Sequence, residues 1–281
     1  MELLGFDDLV ENSQDGVASV DYFMAFSAAL VIHMTNLSRL AQDIQLWSTD
    51  EYMMIDLDEA YAGTSSIMPQ KKNPLVLEQV KSHASECLGA MVAVFSAMRG
   101  VSYSHILDRV MLEPVVIDTA VGSTNVMAGV VETMRPMKEN MRTRLREGFS
   151  TMTDLADTLV RLHGLSFRQA HDIIVEVTLS AIKNDAKAEE ITVEMIERAS
   201  EKVVGEALTV PEQELRSAVD PVLNVQRRRV IGGPAPESVN KMIENQRRRL
   251  RDEEERRKNR IKRIAQANEK LVRAEQALGT T

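Results

Sequence analysis

Three long apolar stripes at helical spacing constrain this chain more than any other feature. Phe23, Phe26, Leu30, Met34, Leu37, Ala41, Ile44 and Trp47 advance by three and four residues, which places them along one face of a helix. A second stripe, Val76, Val80, Ala84, Cys87, Met91, Val94 and Met98, stops before Gly100, a residue suited to the position after a helix end. A third comes after Glu113 and Pro114 and runs Val116, Ala120, Ser123, Met127, Val130, Met134, Met137, Met141. Pro114 fits a first helical turn, and Pro136 is expected to kink this third helix. Helices this long, with near-3.5 spacing and small residues interleaved, pack as nearly parallel neighbours in a bundle.

Beyond Gly148 the grain is finer. TDLADTLVRLHG reads as a short helix closed by Gly164, and Ser166 with Gln169 forms a capping box that opens another, to about Lys183. Shorter helices fit 193–203, 211–219 and 221–229, and GGPAP at 232–236 breaks the chain before a last charged helix over 237–278. Strand-like alternation and hairpin signals are missing, so the fold class is all-α. The expected organisation is a partial long-helix bundle over 1–148, a small helical domain over 149–236 and a charged terminal helix over 237–281.

Charge and composition narrow the function classes. The chain carries 34 Lys and Arg against 42 Asp and Glu, a net −8. From Gln246 onward there are 12 basic against 6 acidic residues, a balance of +6 that leaves −14 on residues 1–245. An acidic body argues against nucleic-acid binding, and the tail blocks RRRLR, DEEE and RRKNR can pair with one another along one solvated helix. A single cysteine, Cys87, and five scattered histidines give no zinc spacing, so no metal site is expected. The acidic start MELLGFDDLVENSQDG lacks a signal-peptide pattern, and no apolar run is long enough to span a bilayer. A cytoplasmic protein without a membrane partner is the expectation.

The most informative stretch is the loop GTSSIMPQKKNP, Gly63 to Pro74, between the first two long helices. Asn73 is a good N-cap and Pro74 a good first helical residue, so the loop feeds a helix N-terminus. Such an end, with Lys71 and Lys72 beside it, favours a carboxylate or phosphate. Ser65 and Ser66 share the loop, and a positive field is what a serine needs to act as a base or nucleophile. Local physics also permits an ordinary solvated interhelix loop with polar filler.

The string SSIMPQKKNP followed by Glu78 resembles the signature of the fumarase/aspartase superfamily, and its Gln-Lys-Lys form resembles argininosuccinate lyases. NSQDGVASVDYF, LSRLAQDIQLWSTDEY, TDLADTLVRLHGLSFRQAH and VDPVLNVQRRRVIGGPAPESV are similar to successive segments of that family, covering nearly everything from Asn12 to Val239. The resemblance implies anti β-elimination from an N-succinyl amino compound, releasing fumarate and an amine without metal or organic cofactor. It implies that Ser65 removes the Cβ proton, that Lys71 and Asn73 hold the dianionic aci-carboxylate, that Ser66 and Met68 line the substrate, and that Glu78 orients a histidine. It also implies a homotetramer whose active sites draw blocks from several subunits.

Two departures qualify this. The chain resembles only the C-terminal part of a family member, so the blocks supplying the leaving-group histidine have no counterpart, and the isolated chain is expected to be inactive. None of His33, His83, His105, His163 or His171 replaces that histidine. Where the family grips the amino-acid portion with tyrosine, glutamine and lysine, this sequence reads YSHILDRVMLEP, placing His105, Val110 and Glu113 there, or Leu112 if one gap is allowed. Val20 stands for an arginine and Leu75 for a frequent aspartate. The fumarate half of the pattern is kept and the arginine half is not. The alternative to a lyase is a non-catalytic oligomeric scaffold of the same fold, as the family's lens crystallins are.

Overall fold

The long stripes fold as helices that bury one face each. The computed structural model describes residues 3–64, 67–68, 71–104 and 113–279. Eleven α-helices occur among them: α1 Ser13–Ala18, α2 Asp21–Trp47, α3 Leu75–Met98, α4 Pro114–Thr133, α5 Lys138–Glu147, α6 Met152–His163, α7 Phe167–Lys183, α8 Val193–Val204, α9 Glu212–Val219, α10 Pro221–Arg227 and α11 Pro236–Leu278. The class is all-α, as expected, with four two-residue strands that the sequence did not signal: β1 Ile55–Asp56, β2 Gly63–Thr64, β3 Lys72–Asn73 and β4 Arg135–Pro136. The chain divides into two compact units, residues 6–138 and residues 139–279 with 3–5. This division falls ten residues before the boundary drawn at 148 from the change of helical grain.

In the first unit α2, α3 and α4 pack on one another. The spacing of buried positions shows why: Val31, Met34, Ala41 and Ile44 on α2, Leu77, Val80, Ala84, Cys87 and Val94 on α3, and Ala120, Ser123, Met127 and Val130 on α4 recur at three, four and seven. Two clusters result, one of Val31, Met34, Ala84, Cys87 and Ala120, the other joining Ala41, Ile44, Leu77, Val80, Met127 and Val130 to Ile55 and Leu57. Each fully buried aliphatic side chain contributes about 1.5–3 kcal/mol. The three helices also leave large apolar residues exposed, among them Tyr22, Phe26, Ile32, Leu88, Val92, Val115 and Val121, so the stripe that carries Phe26 is buried only in part.

Two expectations change here. The third stripe does not continue through a kink: α4 stops at Thr133, and Arg135–Pro136 pairs antiparallel with Ile55–Asp56 before α5 begins. Proline cannot donate to a ladder but is tolerated in so short an edge pairing. Moreover, α4 is by length and composition apolar enough to cross a membrane, contrary to the sequence reading. Its buried face packs against α2 and α3 instead.

The second unit is built around Leu155, Leu159, Ile173, Val177, Ile191, Ile196 and Leu215, all buried. Gly164 closes α6 in the left-handed region at φ 66°, where a side chain would be strained. Ser166 and Gln169 form the expected capping box at the start of α7. Asp154 on α6 binds Arg228 just after α10, with Arg228 Nε donating at 3.1 Å. Burial pushes the Asp154 carboxyl up, but hydrogen bonds from Arg228 and Asn224 and the nearby arginine charges outweigh it and hold it below its ordinary value. The terminal helix α11 buries only Ala267 and carries Glu253–Arg256, Glu254–Lys258 and Glu269–Arg273 pairs along its surface.

Candidate functional site

The loop singled out by sequence is closed at its base by backbone pairing. Gly63 faces Asn73 and Thr64 faces Lys72 in an antiparallel β2–β3 ladder, which leads directly into Pro74 and then α3. Gly63 is closely approached by Leu75: a Cβ there would lie 2.3 Å from Leu75 Cδ1, so the leucine side chain would have to turn aside. Asn73 is therefore not the N-cap of α3. It belongs to the ladder, Pro74 occupies the cap position without a side-chain bond, and the Pro74 carbonyl accepts from the Leu77 and Glu78 amides at 3.0 and 3.2 Å. Strand pairing overrides the local capping preference of asparagine, while the N-terminal field of α3 stays at the hairpin.

The two lysines separate in role. Lys72 Nζ is 2.8 Å from Asp56 Oδ1 and 3.1 Å from the Leu57 carbonyl, and Asp56 also meets Arg135 at 3.1 Å. This clamp ties the hairpin base to the β1–β4 pairing and commits Lys72 to holding the loop. Lys71 is exposed, with its amide donating to the Met68 carbonyl at 3.0 Å, and is the lysine left to meet an anion. Met68 is also exposed and Asn73 half-buried. Ser65 and Ser66 lie outside the described residues, as do His105, Val110 and Leu112.

Glu78, one turn into α3, accepts a long 3.4 Å hydrogen bond from Gln45 Nε2 on α2. Lys81 donates to the carbonyl oxygens of both Gln45 and Gln42. Because Lys81 can only donate and a carboxylate only accepts, the Gln45 amide is fixed with its nitrogen toward Glu78. Asp56, Gln45 and Lys81 were not found from sequence, since each depends on a partner from a different element. The four described histidines are each held by an oxygen: His33 by Thr124, His83 by buried Ser123 at 3.0 Å, His163 by the Thr209 carbonyl and His171 by Asp172. Among the described residues no group of three or more His, Cys, Asp or Glu could hold a metal ion.

One distance organises the rest. The 24 residues of α3 rise ~1.5 Å each and carry the chain about 36 Å from the loop. Tyr103, which opens YSHILDRVMLEP, and Glu113, which precedes α4, come after that rise and before the return of α4. The stretch in which the sequence was expected to have lost the family's amine grip thus begins at the end of α3 away from Lys71 and Asn73.

The chain is similar to known lyases along most of its length. Residues 2–89 match a family profile described as lyase, and residues 149–227 one described as argininosuccinate lyase C-terminal. Argininosuccinate lyase of Methanococcoides burtonii is 38% identical over 255 residues, covering 89% of this chain and 50% of its own length. Argininosuccinate lyase 1 of Shouchella clausii is 38% identical over 248 residues, covering 87% and 50%. The chain spans about half the length of the curated relatives it matches. Among solved structures, an EDDS lyase variant with bound fumarate superposes with a TM-score of 0.91 at 40% identity, over 98% of this chain and 56% of that one. The 3-carboxy-cis,cis-muconate lactonizing enzyme of Pseudomonas putida shares the fold, at a TM-score of 0.55 and 18% identity over 92% of this chain and 49% of its own.

Proposed function

Because this chain belongs to the fumarase/aspartase superfamily and matches the C-terminal portion of its argininosuccinate lyases, we propose that it supplies the fumarate-gripping part of a carbon–nitrogen lyase. The substrate is an N-succinyl amino compound, cleaved by anti β-elimination to fumarate and an amine. Ser65 takes the Cβ proton, the electron pair of that bond becomes the new double bond, and the C–N bond breaks toward a nitrogen that must be protonated. Lys71 and Asn73, beside the α3 N-terminus, balance the charge that develops on the carboxylate. Ser66 and Met68 line the substrate and Glu78 orients a histidine supplied by another block.

The observation that carries this reading is the hairpin base: the Gly63–Asn73 ladder and the Asp56–Lys72 clamp fix both ends of the loop beside the start of α3, and Lys71 is exposed. The span of α3 supports a site shared between copies, in which the loop end of one chain meets the far end of another. We place the protein in the cytoplasm as a homo-oligomer, in the family manner a tetramer. With the family's tyrosine, glutamine and lysine replaced, the amine released is expected to differ from arginine. One observation favours the non-catalytic reading equally, namely the exposed apolar faces of α2–α4, which call for partner helices with or without chemistry.

The experiment is to purify residues 1–281 and follow fumarate absorbance with argininosuccinate and other N-succinyl amines, with and without a polypeptide carrying the upstream half of a relative. Turnover only in the mixture, reduced by several orders of magnitude by Ser65→Ala in a folded protein, supports the lyase. Near-normal turnover by Ser65→Ala would end the assignment. Assembly without turnover toward any substrate would favour the scaffold.

A further inference from the structure

Where the end of α2 packs beside the start of α3, a line of polar side chains runs from one helix to the other. Gln42 and Gln45 stand three residues apart on α2, and Glu78 and Lys81 three apart on α3, so each pair shares a helix face. Lys81 Nζ donates to Gln42 Oε1 at 2.9 Å and, more closely, to Gln45 Oε1. Gln45 Nε2 in turn donates to Glu78 Oε1 at 3.4 Å. Lys81 and Gln45 are half-buried, while Glu78 is exposed and open to an approaching group.

Donation along this line has one direction, set by Lys81. An ammonium group has no acceptor, so the Gln45 carbonyl faces it and only the amide nitrogen is left for the carboxylate. A carbonyl that accepts from a charged donor also makes its own N–H groups better donors. Without Lys81 the amide is free to turn its oxygen toward Glu78, where two acceptors repel. Lys81 lies one turn on from Glu78, yet it spends its donors on the glutamines and not on Glu78 itself. That arrangement suits a carboxylate that has to receive an imidazole N–H. An ammonium bonded directly to Glu78 would compete with the imidazole for the same oxygens, whereas a neutral amide on Oε1 fixes the carboxylate and leaves Oε2 for the ring.

We propose that Gln45 is a positioning residue of the elimination: held by Lys81, it donates to Glu78 and aims the second carboxylate oxygen at the histidine. The inference rests on the lyase reading above, in which Glu78 orients that histidine. Neither Gln45 nor Lys81 touches substrate in this scheme, and both act through Glu78.

The test follows fumarate release by residues 1–281 mixed with the polypeptide that carries the upstream half. Gln45→Leu should lower kcat about tenfold and leave KM within about twofold, because Lys71 and Asn73 are untouched. Gln45→Glu separates positioning from structure. It keeps an acceptor for Lys81, now a charged one, so the tie between α2 and α3 holds and the melting temperature does not fall. It also turns an acceptor on Glu78, so kcat should fall further than in Gln45→Leu. Gln42→Leu removes the other acceptor of Lys81 and leaves Gln45 in place, and should change kcat less than about threefold. Equal losses in Gln42→Leu and Gln45→Leu, or near-wild-type turnover in Gln45→Glu, would overturn the proposal. The chain alone supplies a readout that needs no turnover: by nuclear magnetic resonance, the hydrogen-bonded Gln45 side-chain amide proton should move upfield in Lys81→Met and in Glu78→Gln. A resonance unmoved in both variants would overturn the orientation by itself. A mixture in which the wild-type chain releases no fumarate, with the amide shifts as expected, would overturn the lyase reading and the positioning role with it.

Discussion

Replacing Asp56 by asparagine tests whether the hairpin that presents Lys71 is held by charge. The substitution keeps the size and one acceptor oxygen of the side chain but removes its attraction for Lys72 and Arg135. Lys72 and Asp56 are about one-third exposed, at 34% and 35%, and Arg135 is more so at 66%. Half-solvated pairs of this kind contribute ~0.2–1 kcal/mol each, so the clamp is worth about 1 kcal/mol. Because it ties β3 to β1 and β4, the loss should fall on local opening of the ladder and leave global unfolding little changed. At ~1.4 kcal/mol per factor of ten, opening of the 63–73 segment should become roughly fivefold more frequent. Hydrogen exchange read by mass spectrometry over residues 55–75 is the assay, with Glu139→Gln, which breaks the exposed Arg142 pair, as control. The difference should narrow as salt is raised. Exchange in the hairpin identical to wild type, or acceleration spread evenly over α2 and α3, would refute the clamp.

Leu155→Ala, which empties a fully buried position of the second unit's core, should cost about 2–5 kcal/mol and lower that unit's melting temperature by roughly 10 °C; Leu162→Ala, at an exposed site, should shift it little. The Asp154 carboxyl is held below its ordinary value in the fold, so its contribution is fully present above the unfolded-state pKa near ~3.9 and is lost as pH falls through the lower folded value. Acid-melting curves of Asp154→Asn should therefore converge on wild type at the acid end and diverge above it, and a constant offset at all pH values would contradict this. Duplex DNA should show no submicromolar, salt-sensitive binding to the chain, because α11 neutralises its own blocks through Glu253–Arg256, Glu254–Lys258 and Glu269–Arg273; binding abolished by deleting 237–281 would reverse that view.

What could be read from sequence was local, and what could not was set by distant partners. The period of Met34, Ala41 and Ile44, the Ser166–Gln169 box and the left-handed Gly164 each depend on residues within a turn or two, so their helices were legible. Asn73 misled because its capping preference loses to a ladder with Gly63, ten residues back. Pro136 misled because its partner is Ile55, on the other side of two long helices in the sequence. Lys71 and Lys72 are chemically alike as letters, and only Asp56 distinguishes the clamp from the exposed lysine beside it. The loop itself was found through resemblance, since its local physics admitted an ordinary polar connection, and its serines lie outside the described residues.

Two unmet requirements of the first unit have one answer. The exposed sides of α2–α4 hold large apolar residues that a lone chain leaves in water, while on the proposed lyase reading the two halves of the substrate site fall at opposite ends of α3, about 36 Å apart. Burying even seven such side chains to half their value, at ~1.5–3 kcal/mol for complete burial, offers roughly 5–10 kcal/mol. Association costs of the order of 4–15 kcal/mol, so a pair of helices in contact would be marginal and a bundle with several such interfaces per chain stable. An antiparallel copy packed along those faces would bring its loop end to the other's far end. On this argument assembly and site completion are one event, and exposed apolar positions such as Val92 and Val121 should govern both. Charged substitutions at Val92 and Val121 should dissociate the assembly and abolish turnover in the reconstituted enzyme together, as read by light scattering and fumarate release. Turnover that survives full dissociation would show that a single chain completes the site.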